Sequence, residues 1–404
     1  MRILQVGPIP PEVGGQTGGG VATHLWSLAV HLKKQGHTVA ILSDNYYSEA
    51  LSPESREGIH IFGLRGLLRS AWTAYILCPS FWIKGIRTKL HFGTLMTWKG
   101  VLAGLLNYRR VIKAFQPDLI HIHHLEFRFP FVTYLVGDRI PILTTVHSTS
   151  FLEFSPSSAV EKRKEFIRRN LDLSQNLIFV SQFLENRFEI LFPGVLKGKN
   201  TTIIHNPVNG SIDYSLSTTE AREKLGIESA GPVLLFVGNL IPQKRLELLI
   251  EAAKLISDRG LDFQVRVVGS GPEQAELERL VQKYQLSEKV VFEGQISQEE
   301  LFLYYNAADL LVSPSPMESF GLVFVEAMLC GCPVLGRPGV LQEILPSERC
   351  GVYLPSSNPE VWAEGILEAL DRSWSRGEIS ELARVYTWDA IQNQFEGLYR
   401  QLTS

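Results

Sequence analysis

The 404-residue chain has no run approaching the roughly 18 uninterrupted apolar residues that a membrane-spanning helix needs. Its start, Met1-Arg-Ile-Leu-Gln-Val-Gly7, enters a strand pattern at once and lacks the charged, apolar and small-residue regions of a signal peptide. A cytoplasmic location is expected on both counts. Cysteine is sparse: Cys78, Cys330, Cys332 and Cys350 show no zinc-ligand spacing, and Cys330 and Cys332 stand too close for a usual zinc pair. Buried free thiols in a reducing compartment are expected instead. Short repeats and low-complexity tracts are missing as well, which argues against a solenoid or a disordered chain. The most pointed absence is of acid. Between Gly58 and Pro117 there is no Asp or Glu, against nine Lys and Arg.

A chain of this length exceeds the roughly 250–300 residues at which a single core stops growing, so two domains are expected. Charge separates the halves: residues 1–200 hold 23 Lys/Arg against 14 Asp/Glu, and residues 201–404 hold 16 against 28. Opposite signs point to different partners. Short apolar runs alternate with amphipathic stretches, the pattern of a parallel α/β sheet. Residues 2–7, 38–43, Ile59–Leu64, Leu119–His123, Ile142–Val146 and Leu177–Val180 read as one strand series, with a helix at 20–35. Val233–Val237, Gln264–Val268, Val290–Phe292, Leu310–Val312 and Pro333–Leu335 read as a second, with helices such as Leu246–Arg259 and Glu273–Tyr284 between them. Polar residues around Asn209–Thr219 read as a linker, placing the boundary near 205–215. The expected fold class is α/β: two Rossmann-like, doubly wound parallel-sheet domains. Ligands of such sheets sit at the carboxyl ends of the strands, so a substrate cleft between the domains is expected.

Residues 312–335, V-S-P-S-P-M-E-S-F-G-L-V-F-V-E-A-M-L-C-G-C-P-V-L, carry the densest chemistry. A strand ends at Val312, a Pro/Ser loop leads to Glu318-Ser319-Phe320-Gly321, and an apolar helix runs from Leu322 to Leu329. Loop N–H groups and a helix N-terminus favour an anion such as phosphate. Glu326 falls inside the apolar helix, where a carboxylate is costly unless it accepts hydrogen bonds; a ribose diol would supply two.

This stretch resembles the E-x(7)-E signature of retaining glycosyltransferases of the GT-B fold, specifically glycosyltransferase family 4. The likeness extends over nearly the whole chain. Gly19-Gly20-Val-Ala-Thr-His-Leu resembles the family's first glycine loop, and L-F-V-G-N-L-I-P-Q-K-R (235–245) the first strand and loop of its donor domain. F-V-S-Q-F-L-E-N-R-F (179–188), I-I-H-N-P-V-N (203–209) and V-V-G-S-G-P (267–272) are similar to further family segments, as is the run from Phe292 to Asp309. Tyr386-Thr-Trp388 onward resembles a last helix that crosses back to the first domain.

The resemblance implies an acceptor domain over 1–208, a donor domain over 209–385 and a crossing helix over 386–404. It implies that Glu326 holds the donor ribose, Glu318 orients the sugar hydroxyls, and the backbone of Gly321 and Leu322 meets the diphosphate. Ser319 and Phe320 belong to the same loop. Gly19 and Gly20 would let the first domain's backbone close on the phosphates. Beyond Gly238, the family places a cation pair on the diphosphate. Lys244 matches its lysine, but Asn239 stands where an arginine is usual and Arg245 where a glycine is usual. Part of the clamp is then missing or supplied by Arg245, unless Lys244-Arg245 is simply a solvated turn. His147, closing the strand I-L-T-T-V-H, matches the family histidine that contacts the donor sugar near the reacting carbon. The catalytic set implied is Glu318, His147 and Lys244.

No metal and no cofactor are expected. His121 and His123 would share one face of a strand and His124 follows, but only Glu126 is near to complete a metal site. No two aspartates are separated by a single residue, so the D-x-D metal motif of the other glycosyltransferase fold is absent. Within the acid-free stretch 58–117, Trp72, Tyr75, Phe81, Trp82, Phe92, Trp98 and Tyr108 are interleaved among the cations. That mixture points to an anionic membrane surface, or else to a helical region with a basic outer face, and no nucleic-acid module is recognisable. The expected partners are a nucleotide sugar and a hydroxyl acceptor, lipid-linked or part of a cell-envelope polysaccharide. The expected location is cytoplasmic, with peripheral membrane attachment. A sugar-nucleotide epimerase of the same fold, or a catalytically weak nucleotide-sugar-binding homologue, is the alternative; a donor-hydrolysis assay separates both from a transferase.

Overall fold

The computed structural model describes residues 1–16, 19–47, 53–64, 98–123, 129–149, 157–171, 173–208, 216–229 and 231–404. Packing divides them into two units, Met1–Asn206 with Ile391–Ser404, and Pro207–Ala390.

The first unit is built on eight strands: β1 (Arg2–Gly7), β2 (Thr38–Tyr47), β3 (Glu54–Arg56), β4 (Ile59–Leu64), β5 (Leu119–Ile122), β6 (Ile142–Val146), β7 (Asn176–Phe179) and β8 (Asn200–Ile203). They lie in the order β3-β4-β2-β1-β5-β6-β7-β8, all parallel except β3 against β4. The order reverses between β1 and β5, so the loops at their carboxyl ends part and leave a crevice. Its helices are α1 (Gly20–Lys34), α2 (Trp98–Phe115), α3 (Phe129–Val136), α4 (Ser157–Leu171) and α5 (Gln182–Leu191). α1 buries Leu25, Leu28, Ala29 and Leu32, one stripe at helical spacing.

The second unit has six parallel strands: β9 (Val233–Val237), β10 (Gln264–Val268), β11 (Val290–Gly294), β12 (Leu310–Ser313), β13 (Val334–Gly336) and β14 (Gly351–Tyr353). The order β11-β10-β9-β12-β13-β14 reverses between β9 and β12. Its helices are α6 (Thr218–Leu225), α7 (Leu246–Asp258), α8 (Gln274–Lys283), α9 (Gln298–Ala307), α10 (Leu322–Leu329), α11 (Val340–Ile344), α12 (Pro359–Asp371) and α13 (Arg376–Ala383). α7 buries Leu246, Leu249, Ile250, Ala253 and Ile256 against the same core as Leu234, Phe236 and Trp362. Truncating a buried Trp of this kind typically costs about 3–5 kcal/mol.

The last helix, α14 (Trp388–Thr403), begins in the second unit and ends in the first. Its start is tied by Trp388 N–H to Val208 O at 3.2 Å. Its end is held by Gln392 beside Gln35, Glu396 near His37, and the buried rings of Phe395 and Tyr399.

The edge strands β3, β8 and β14 were outside the strand series read from the sequence. β8 is Asn-Thr-Thr-Ile with two exposed residues, and an edge strand that is half in water carries no apolar run to betray it. Cys330, Cys332 and Cys350 are free and buried; Cys78 lies outside the described residues. Most of the basic, aromatic segment, residues 65–97, also lies outside them. Of its described part, Tyr108 needs correction. It is buried with Val101, Leu105 and Val111 on the inner face of α2, so its ring belongs to the core and not to an interfacial belt. Arg109 and Lys113 on the same helix are exposed. No helix among the described residues is long and apolar enough to cross a membrane.

Candidate functional site

In the second unit, two loops leave the sheet where its order reverses. The loop after β9 runs through Gly238 and the exposed Asn239 to a 3-10 turn, Pro242–Lys244. The loop after β12 carries Ser315, Glu318, Ser319 and Phe320 to Gly321, which caps α10. The loops meet. Lys244 Nζ donates to Glu318 Oε1 at 2.5 Å, with both side chains largely withdrawn from water, and Ser315 Oγ donates to Gln243 O at 3.4 Å and Met317 O at 3.1 Å. Withdrawal from water strengthens the ion pair but leaves it open to a further partner, since an ammonium has three donors and a carboxylate about four acceptor sites.

Gly321 has φ 75° and ψ 53°, the left-handed region, and a Cβ there would meet the Phe324 ring at 2.7 Å. A side chain is strongly disfavoured at this cap, beside which the first N–H groups of α10 have no acceptor within the helix. Phe320, just before it, is buried edge-on to Tyr386, which anchors the loop from below.

Glu326 sits one turn further along α10. Its Oε2 accepts from Tyr305 Oη at 2.8 Å. Burial raises its carboxyl to about 7 and the Tyr305 hydrogen bond opposes that rise. Tyr305, on α9, is itself held by a device at the helix ends. The Arg376 guanidinium donates to the carbonyls of Ala308 (2.8 Å), Tyr305 (3.2 Å), Asn306 (3.0 Å) and Cys330 (3.1 Å), tying the carboxyl ends of α9 and α10 together. A cation there satisfies orphan carbonyls of both helices. Tyr305 and Arg376 were not singled out from the sequence. A tyrosine in a helix and an arginine after a serine carry no local signature.

Arg245 adopts φ 54° and ψ 36°, left-handed again, as the N-cap of α7. This accounts for the glycine that the family resemblance puts at this position. Its Nε donates to Glu247 Oε1 at 2.5 Å, so its charge is partly met within the chain.

The first unit places His147 just past β6, half-exposed. His147 Nε2 shares a hydrogen bond with His123 Nδ1, just past β5, at 3.1 Å. His24, on α1 beyond Gly19 and Gly20, brings its ring to 5.0 Å from that of His147, and burial lowers its pKa to about 4. Gly19 has φ 138°, which a side-chain-bearing residue rarely adopts. His121 does lie on the same face as His123, their ring centroids 4.2 Å apart, but both of its nitrogens are engaged. Its Nδ1 meets Tyr399 Oη and its Nε2 meets Thr145 Oγ1, both at 2.7 Å. His124 and Glu126 lie outside the described residues.

Two family models match, Glycosyltransferase Family 4 over residues 18–211 and Glycosyl transferases group 1 over residues 217–385. The chain belongs to these glycosyltransferases. It is 27% identical to the D-inositol 3-phosphate glycosyltransferase of Corynebacterium glutamicum, over 96% of this chain and 93% of that protein. Sucrose-phosphate synthase from Thermosynechococcus elongatus superposes with a TM-score of 0.76 at 25% identity, covering 100% of this chain and 99% of the other. HepE of Anabaena, solved in complex with UDP-glucose, has a TM-score of 0.70 at 18% identity over 99% and 100%, and shows the fold alone. Both sheets described above are those of a GT-B glycosyltransferase, and the chain is a sugar-transferring enzyme.

Proposed function

We propose that this glycosyltransferase moves a sugar from a nucleoside diphosphate sugar to a hydroxyl acceptor with retention at the anomeric carbon. The observation that carries the reading is the Lys244–Glu318 pair beside the N-terminus of α10, where a sheet of this topology binds its ligand. Lys244 neutralises the charge that builds on the departing diphosphate, with the N–H groups of Gly321 and Leu322 as further donors. Glu318 keeps Lys244 in place and accepts from the sugar's hydroxyls. Glu326 accepts from the ribose beside Tyr305. Ser319 and Phe320 shape the loop, and Gly238 and Asn239 border the diphosphate.

In the first unit, Gly19 and Gly20 offer backbone to the phosphates and His147 contacts the sugar. The departing phosphate oxygen takes the acceptor's proton on the same face, so no separate base is required. No metal takes part, the charge being met by Lys244, Arg245 and backbone donors. The acceptor is lipid-linked or part of the cell envelope, reached from the cytoplasmic face through residues 58–117; that reading rests on composition. The UDP-glucose held by the Anabaena neighbour makes UDP-glucose the first donor to try.

Thermal shift across a panel of nucleotide sugars identifies the donor, because a ligand bound only by the folded state raises its melting temperature. Proton NMR of the first product then reads its anomeric configuration. Inversion would overturn the retaining assignment; donor hydrolysis without transfer to any acceptor would overturn the transferase.

A further inference from the structure

The carboxyl edge of the first unit's sheet gathers imidazoles from three elements. His24 comes from α1, His123 from the end of β5 and His147 from the end of β6. One nitrogen of each lies within 4.8 Å of the others, and His123 Nδ1 and His147 Nε2 are 3.1 Å apart. Two nitrogens on a tetrahedral zinc ion, each bonded at 2.0–2.1 Å, stand about 3.3 Å apart. The pair is already at ligand spacing, and the His24 nitrogen, within 4.8 Å of both, has to move inward to complete a three-nitrogen face. Among the described residues no carboxylate belongs to the group.

We propose that His24, His123 and His147 form a binding site for one divalent ion of the zinc type, with water in the fourth position on the half-exposed side of His147. Three imidazoles and no oxygen ligand suit Zn²⁺, Co²⁺, Ni²⁺ or Cu²⁺ and offer little to Mg²⁺ or Ca²⁺. His24 sits on α1, and His123 and His147 directly follow β5 and β6, so the three ligands come from three separate parts of the fold. The site is not a requirement of the transfer reaction. On the reading that His147 contacts the donor sugar, an occupied site withdraws that ring and inhibits the enzyme, reversibly and in competition with donor.

The test uses the full chain stripped of metal by a chelator. Titration with Co²⁺ is followed by visible absorption, in which a nitrogen-rich tetrahedral site gives strong bands. Zn²⁺ affinity is measured by competition with a chromophoric chelator. One equivalent should bind with a Kd of about 10 µM or tighter, and Mg²⁺ in excess should not displace it. His147→Ala, at a half-exposed strand end, and His24→Ala should each weaken Zn²⁺ binding at least about 100-fold. His60→Ala, outside the group, should leave it unchanged. Circular dichroism checks that each variant is folded, and the wild-type spectrum tests the site without any variant. Absence of stoichiometric Co²⁺ bands in wild type, or equal Zn²⁺ affinity after His147→Ala, overturns the site. Tight Zn²⁺ binding that leaves sugar transfer undiminished supports the site and overturns instead the role given to His147.

Discussion

Lys244 and Glu318, 74 residues apart in the chain, are joined by a 2.5 Å hydrogen-bonded ion pair across the point where the second unit's sheet reverses its strand order. If both act on one donor, their losses should not add. A single charge-assisted contact to phosphate is worth about 1.5–3 kcal/mol, or about 10- to 150-fold in rate. Lys244→Ala should lower kcat/KM by that factor. Glu318→Gln should do likewise, and the double variant should lose clearly less than the product. Additive losses in steady-state kinetics would mean the two side chains act separately.

Arg245 offers a way to separate charge from backbone. Its left-handed φ of 54° costs a non-glycine residue roughly 1–2 kcal/mol, and glycine relieves that strain. Arg245→Gly should therefore melt at or above the wild-type temperature, while Arg245→Ala keeps the strain. If the guanidinium leaves Glu247 to meet the diphosphate, both variants should lose activity equally. Two silent variants would confine Arg245 to its ion pair with Glu247.

If Glu326 holds the donor ribose as proposed, it should couple donor binding to protons. Burial raises its carboxyl to about 7, so near neutrality much of the unliganded enzyme carries it protonated. Ribose hydroxyls donate to the ionised form, so binding should release a proton and donor affinity should rise between pH 6 and 8. The stability sign is opposite: a raised carboxyl stabilises fully below its unfolded value of 4.5, and that contribution fades as pH climbs through about 7. Glu326→Gln should bind donor weakly, with an affinity flat over this range, and should lose the pH-dependent part of the melting temperature. Calorimetry in buffers of different ionisation enthalpy reads the proton directly. Equal heats in all buffers would refute the coupling.

Sugar transfer should continue in excess chelator with purified components. On the proposed reading, the Lys244 ammonium and the α10 N-terminus supply the positive potential for which other glycosyltransferases use a metal-bound carboxylate pair. Complete loss of activity, restored by adding back a divalent ion, would show the metal-free reading to be wrong.

Residues 58–117 should bring the enzyme to anionic vesicles. Each Lys or Arg near the surface contributes about 1 kcal/mol, and salt screens this over roughly 10 Å at 0.1 M. The Tyr108 ring is spent on the core and adds nothing to that attachment. Charge reversal at Lys84, Arg87 and Lys89 should release the protein while leaving donor hydrolysis intact. No vesicle binding at low salt, with full activity on a soluble acceptor, would return the segment to an ordinary basic surface.

The alternation of apolar runs and amphipathic helices was enough to read two parallel sheets, because strands covered on both faces must be apolar throughout. Glu326 stood out for a related reason: a carboxylate inside an apolar helix needs a partner. Lys244 was marked by the family resemblance, and Glu318 by the resemblance and its place in the loop before that helix. Which partner it has could not be read. Lys244 meets Glu318 because β9 and β12 lie side by side in the sheet, while Glu326 meets Tyr305 and Arg376 spans two helix ends because α9 and α10, before and after β12, pack together. His24 and His147 are 123 positions apart, and no local pattern links them. Periodicity reports the face a residue turns to the core, which is a local property; the meeting of side chains from distant elements depends on strand order, which only the folded chain decides.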